Sequence, residues 1–145
     1  MYHRILIPTD GSELAEKAVS HGFDIAKKFG SEVTLLRVVA PPAPLVMEGV
    51  VISYPVEEAR REALAIVGEQ FKKLEARAKA EGVKMATRTV ENDQAWRAIV
   101  DAAKDIDADL IVMSSHGRRG VSALVLGSET HKVLTHSSTP VLVYR

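Results

Sequence analysis

Two short runs, Ile5-Leu6-Ile7 and Leu110-Ile111-Val112-Met113, are apolar at every position. A strand with one wet face alternates apolar and polar residues, whereas one without alternation is buried on both faces. Such strands need cover on both sides of a sheet, and the segments between the runs can supply it. Ala15, Ala18, Val19, Gly22, Ala26 and Phe29 recur at helical spacing and form the buried stripe of a first helix. Ser12 or Asp10 caps that helix, Glu13 and Glu16 suit its positive end, and Gly30 stops it. Val33 to Val39 reads as a second strand. The segment from Pro41 to Pro55 reads as irregular, either a functional lid or partner surface or a tolerated insertion. Pro55 to Gly82 is the longest helix, with Ala63, Val67, Phe71, Leu74 and Ala78 inward. Glu57, Glu58, Arg60, Arg61, Lys72 and Lys73 form its solvated face. Lys84 to Val90 is a third strand, polar enough for an edge. Asn92-Asp93 starts a helix with Trp96, Ile99, Val100 and Ala103 as its apolar side. Trp96 reads as packing, because no basic-aromatic interleaving surrounds it. Leu110 to Met113 is the fourth strand, Glu129 to Leu134 has helical character, and Val141 to Tyr144 is a fifth strand.

Buried strands alternating with amphipathic helices predict an α/β fold, a single open five-stranded parallel sheet with helices on both faces. At 145 residues the chain fits one domain, residues 1–145, with a core that needs no staples. Nineteen basic and nineteen acidic residues balance, which argues against a broad nucleic-acid or membrane field. No cysteine is present, so disulfides, thiolate metal sites and a cysteine nucleophile are excluded. Met1 to Pro8 holds too short an apolar run for a signal-peptide core, and no run nears the roughly 20 residues of a spanning helix. A cytoplasmic location is expected.

In open α/β sheets, ligands sit outside the carboxyl ends of the strands where the winding reverses. Two strand ends are polar and carry glycine, Pro8-Thr9-Asp10-Gly11-Ser12 and Ser114-Ser115-His116-Gly117. If strands one and four are neighbours, both face one crevice. The second end continues to Gly127-Ser128-Glu129 and then opens a helix. Glycines admit an anion close to the backbone, and helix-start N–H groups point at it. Locally, that stretch is as well read as a turn. Asp10 either caps the first helix or accepts hydrogen bonds from a ribose hydroxyl. GxxxxGK[ST], GxGxxG after the first strand and GxSxG are all missing, so a P-loop, a dinucleotide fingerprint and a serine-hydrolase elbow are set aside. His3, His21, His131 and His136 form no ligand pattern and are read as structural or solvated. His116 could hydrogen-bond a ligand, but no neighbouring carboxylate marks it as a base.

The chain resembles the universal stress protein family over essentially its whole length. The resemblance rests on Ile5 to Ser12, Leu35-Leu36-Arg37-Val38, Asp109 to Met113, the final loop and Thr139 to Val143. The family's nucleotide-binding branch carries Gly, two residues, Gly, nine residues, then Gly-Ser or Gly-Thr. Gly117, nine residues and Gly127-Ser128 match that spacing, while Ser114 stands where the first glycine belongs. The resemblance implies strand order 3-2-1-4-5, with ATP or AMP, with or without Mg²⁺, between strands one and four. By position, Asp10 would contact the ribose, the Val38 backbone would read adenine, and Gly117, Gly127 and Ser128 would hold phosphates. Met113, Ser114 and His116 would line the site. Pro8, Thr9, Arg118, Glu129 and Thr130 complete the candidate set. Val141, Leu142, Val143 and Tyr144 would pair across a two-fold axis to make a homodimer.

The Ser114 hydroxyl is expected either to clash with the nucleotide or to donate to it. Gly127→Val is expected to abolish binding by setting a branched side chain against the phosphates. Three functions follow. The chain is a nucleotide-binding regulator of a stress response, with at most slow ATP hydrolysis. Alternatively, it is a nucleotide-free dimer that meets an unidentified protein partner through the Pro41–Pro55 segment. The third, a true nucleotide hydrolase, fits least, since the motif supplies no base or arginine finger.

Overall fold

The computed structural model describes residues 1–52, 55–117 and 126–145. Arg118 lies outside them. The elements run β1 (Arg4–Pro8), α1 (Glu13–Phe29), β2 (Glu32–Val39), β3 (Leu45–Met47), β4 (Val50–Ile52), α2 (Val56–Glu81), β5 (Lys84–Glu91), α3 (Ala95–Asp105), β6 (Leu110–Ser114), α4 (Ser128–His136) and β7 (Val141–Tyr144). Five parallel strands form the main sheet in the order β5-β2-β1-β6-β7. Counted along the chain without the β3–β4 hairpin, this is the expected 3-2-1-4-5.

The apolar strands are explained by what covers them. In β1, Ile5 and Ile7 point into a cluster with Val19 and Phe23 of α1 and Val67 and Phe71 of α2. Leu6 points the other way, to Ile99 and Ala102 of α3 and Val133 of α4. β6 divides likewise, Leu110 and Val112 to the first side, Ile111 and Met113 to the second. With no wet face on either strand, alternation has nothing to record. α1 lies so close on β1 that a Cβ at Gly22 would overlap the Ile7 side chain.

Ser12 settles the capping question for α1. Its Oγ accepts from Ala15 N–H at 3.3 Å, while the Asp10 carboxylate accepts from Ser12 N–H at 3.0 Å. Gly30 ends the helix at φ 69°, where only a residue without Cβ is unstrained. β5 takes the edge as expected.

Three details differ from the expectation. Phe29 is 41% exposed, and Phe23 is the fully buried aromatic of α1. Phe29 is the last helical residue, and its ring packs edge-on against Tyr2 with centroids 5.7 Å apart. Asn92-Asp93 does not start α3. Asn92 instead accepts from Gln94 N–H at 2.8 Å in a local turn, and the helix begins at Ala95. The Pro41–Pro55 segment is not wholly irregular either, because β3 and β4 form an antiparallel hairpin. Glu48 (φ 48°) and Gly49 (φ 79°) make its two-residue turn, a geometry that matches the twist of paired strands.

α1 and α2 are tied at one end by charge. The Glu81 carboxylate accepts from Lys27 Nζ at 2.8 Å and from Arg77 Nε at 2.7 Å. The Lys27 bond first, then that of Arg77, holds its carboxyl below the ordinary carboxylate range. A carboxyl depressed in the folded state adds stability above its unfolded pKa, and that stability is lost as pH falls through the folded value. Glu81→Gln is therefore expected to lower the melting temperature modestly at pH 7, with the gap to wild type closing under acid. Melting curves from pH 7 to pH 3 check this, and a gap independent of pH would contradict it.

Candidate functional site

The carboxyl ends of β1, β2 and β6 open into a cleft of about 770 Å³. β1 and β6 are hydrogen-bonded neighbours, so the two glycine-bearing strand ends share it. Asp10 comes from the β1–α1 turn, and Val38, Val39 and Ala40 come from the end of β2. Ala63, Ile66 and Val67 of α2 form one wall, and Asn92, Asp93 and Ala95 enter from the β5–α3 connection. The remaining wall is His116 and Gly117 after β6, with Gly127 to Thr130 at the start of α4.

Eight of the thirteen candidate residues therefore line one cleft: Asp10, Val38, His116, Gly117, Gly127, Ser128, Glu129 and Thr130. Pro8, Thr9, Met113 and Ser114 are buried and do not line it.

The loops after β1 and β6 meet at Gly117. A Cβ there would come within 2.7 Å of the Asp10 Oδ2 atom, so the glycine lets the carboxylate approach the opposite backbone. The β6 end is held by its own polar groups. Ser115 N–H donates to the Tyr144 carbonyl at 2.8 Å. Gly127 N–H donates to the Ser115 carbonyl at 2.8 Å, and the Thr130 hydroxyl reaches the Ser114 and Ser115 carbonyls at 3.1 Å each. The Ser115 hydroxyl lies 3.0 Å from His116 Nδ1. The start of α4 is stitched in this way to the end of β6. No side chain caps α4 among the described residues, and an uncapped helix start presents N–H groups to an anion.

Gly127 is not glycine for backbone reasons, since its φ of −59° suits any residue. A Cβ there would lie 3.0 Å from the Ser115 carbonyl oxygen and 3.5 Å from His116 Cα. A side chain at 127 therefore also meets the β6 loop, a cause for the Gly127→Val defect that the sequence did not show.

Ser114 is also clarified. Its hydroxyl donates to the His116 carbonyl at 2.8 Å, and the residue is 8% exposed. The hydroxyl is thus engaged within the loop, a partner that the two expected alternatives, clash with a nucleotide or donation to it, did not include. Removing one such bond costs about 1 kcal/mol. Ser114→Gly is expected to lower unfolding free energy by about that amount, more if the new glycine loosens the loop. Any affinity of the cleft should stay within about fivefold of wild type, which is what the roughly 1 kcal/mol of this bond converts to. Chemical denaturation and calorimetry check the two halves.

Glu129 has work of its own. Its carboxylate accepts from Trp96 N–H at 2.8 Å and from Lys132 Nζ at 3.2 Å, which places an anion on the start of α3. Trp96 packs as expected, with the His136 ring 4.5 Å away by centroids and the Arg97 guanidinium over it.

Sequence reasoning did not single out Arg37, the α2 wall or Asn92-Asp93 as cleft residues. Arg37 is 8% exposed, and its Nη1 donates to the Thr9 carbonyl at 3.3 Å. A lone charge inside the apolar run Val33–Val39 was the available signal. The α2 wall had none, because residues that face a cleft and residues that face a core share one helical stripe.

The universal stress protein family profile matches residues 1–145. The chain belongs to the universal stress protein family. Among relatives, a universal stress protein of Methanocaldococcus jannaschii is 38% identical over 149 residues, covering 100% of this chain and 83% of the other. One from Bacillus subtilis is 31% identical over 151 residues, with both chains covered completely. A second M. jannaschii universal stress protein is 32% identical over 156 residues, and covers 100% of this chain at 96% of its own length. Its solved structure superposes with a TM-score of 0.85 at 30% identity, covering 99% of this chain and 96% of that one. This universal stress protein thus shares the family's sheet order as well as its sequence pattern. Among the described residues no helix is long and apolar enough to cross a membrane.

Proposed function

We propose that this universal stress protein is an adenine-nucleotide-binding regulator, holding ATP or AMP in the cleft at the carboxyl ends of β1, β2 and β6. The carrying observation is the meeting of Asp10 with Gly117 beside the start of α4, which no side chain caps among the described residues, with Gly127 and Ser128 at that start. A carboxylate suits a ribose hydroxyl, and free helix-start N–H groups suit a phosphate. The Val38 backbone, at the carboxyl end of β2, reads adenine against the apolar wall of Ala63, Ile66 and Val67. Gly117, Gly127 and Ser128 hold the phosphates, joined by His116 and by Arg118. Pro8, Thr9, Met113 and Ser114 support the site from behind, while Glu129 and Thr130 line the cleft at the start of α4. Two proteins of this fold, 23% and 18% identical to this chain, were solved with cAMP and with dAMP. At those identities the likeness is one of fold, and they support only that the fold can hold adenine nucleotides.

Occupancy would bias a partner surface by population shift, and hydrolysis, if any, is slow. Among the described residues His116 is the one histidine on the cleft wall, and its Nδ1 is engaged with Ser115. Mg²⁺ would enter with the nucleotide's own phosphates. We further assign the chain to the cytoplasm, as one domain, and to a homodimer paired through Val141 to Tyr144. β7 is an edge strand of half-buried residues, and such an edge needs cover.

The second reading is a nucleotide-free interaction protein. It is favoured by the β3–β4 hairpin, where Val46, Met47, Val50 and Val51 are each more than half exposed. Denaturing the purified protein and analysing the released small molecules separates the two. Released ATP, AMP or a related nucleotide, or a melting shift on adding millimolar ATP, supports the first. Neither result from folded protein would hand the case to the second.

A further inference from the structure

The β1–α1 turn carries the Asp10 carboxylate into the cleft, and something must hold that turn. Its outer side rests on two long polar side chains. Arg37 Nη1 donates to the Thr9 carbonyl at 3.3 Å, and it would lie 3.2 Å from a Cβ built on Gly11. Gln70 of α2 would lie still nearer to that Cβ, its Nε2 at 2.8 Å. Gly11 sits at φ 74°, a left-handed backbone that favours glycine, so the turn is sharp as well as tightly backed. On its inner side the Asp10 carboxylate accepts from Ser12 N–H and lies against Gly117. The contacts run in one line from α2 and β2 through the turn to the β6 loop.

An arginine only 8% exposed as a residue is costly to bury unless its donors are used. Sequence offers no packing reason for a charge between Leu36 and Val38, since the strand is otherwise apolar from Val33 to Val39 apart from Thr34. We propose that Arg37 is the positioning residue for Asp10, bracing the Thr9 peptide so that the carboxylate stands at the cleft edge beside Gly117. Arg37 also lines the cleft, and the role assigned to it is to act on the ligand through Asp10. This inference rests on the nucleotide reading for its binding consequence, but not for its geometry.

The test is a double-mutant cycle on AMP affinity by calorimetry, using wild type, Asp10→Asn, Arg37→Met and the double variant. Each single substitution should weaken AMP binding about tenfold, and the double should be scarcely weaker than the worse single, because two residues acting as one unit are not additive. Losses that multiply to about a hundredfold would overturn the proposal, as they would make Arg37 an independent contact. Arg37→Lys, which keeps a donor within reach of the Thr9 carbonyl, should recover part of the affinity, and it serves if Arg37→Met does not fold. A ligand-free crystal structure of the variant gives the readout that needs no nucleotide. The Asp10 carboxylate should leave Gly117, and a turn unchanged in position would overturn the proposal. If wild-type protein binds no AMP, the functional reading fails, while that structure still decides the role of Arg37.

Discussion

A Gly127→Val protein is expected to fold and to bind AMP at least about a hundredfold more weakly than wild type, the scale that a misplacement of about 1 Å brings to a preorganised site. The added Cβ would press on the Ser115 carbonyl, which accepts the N–H of residue 127 itself at 2.8 Å. Two further methyls cannot fit there without moving the start of α4 away from β6. That movement separates Ser128 from Gly117, the two sides between which a phosphate would be shared. Gly127→Ala is the graded control. Its Cβ at 3.0 Å from that oxygen needs only a few tenths of an ångström of give, and its backbone is unstrained. Calorimetric titration of AMP into both variants, with melting temperature as the check on folding, reads the outcome. Wild-type affinity in a folded Gly127→Val protein would remove the α4 start from the site.

Phe23→Ala should have the largest effect on stability. Phe23 is fully buried between the sheet and α2, in the cluster with Ile5, Ile7, Val67 and Phe71. Truncating a buried phenylalanine costs about 3–5 kcal/mol, through lost transfer energy and the cavity left behind. For a chain of this size that corresponds to a fall in melting temperature of roughly 10 °C or more. The Arg77 guanidinium, 5.4 Å from the ring centroid, would lose its aromatic partner as well. Phe29→Ala, on the half-exposed ring, should cost far less. Thermal melts of the two variants side by side test the ranking, and equal losses would contradict it.

These two positions mark how far the sequence was legible. The stripe of α1 was readable from spacing, because a helix against a sheet must repeat its apolar face. Which aromatic on it is buried was not, since that depends on where the sheet ends beneath the helix. Phe29 falls in the last turn and overhangs towards Tyr2, so it keeps solvent on one side. The hairpin was hidden for a different reason. Three prolines precede it, and its turn is Glu-Gly rather than one of the strongest hairpin pairs. Nothing local contradicted an irregular segment.

The same division holds at the cleft. Strand type, helix stripes and the parallel sheet followed from residue order alone, because burial on two faces leaves a pattern that any reader of the chain can count. The glycines at 117 and 127 and the acid at 10 stood out for similar reasons, as small or charged groups at strand ends. Their partners did not. That Gly117 makes room for Asp10, that Ser114 spends its hydroxyl on His116, and that Thr130 ties α4 to β6 all join residues whose neighbours are chosen by folding. Arg37 shows the limit most plainly. The sequence exposed an unexplained charge in a buried strand, but only the close approach of β2, α2 and the β1–α1 turn gave that charge a carbonyl to hold. Periodicity reports which surfaces are buried, since water selects them one residue at a time. Distances between side chains on separate elements are set by how those elements pack, and that is fixed only once the sheet has closed its core.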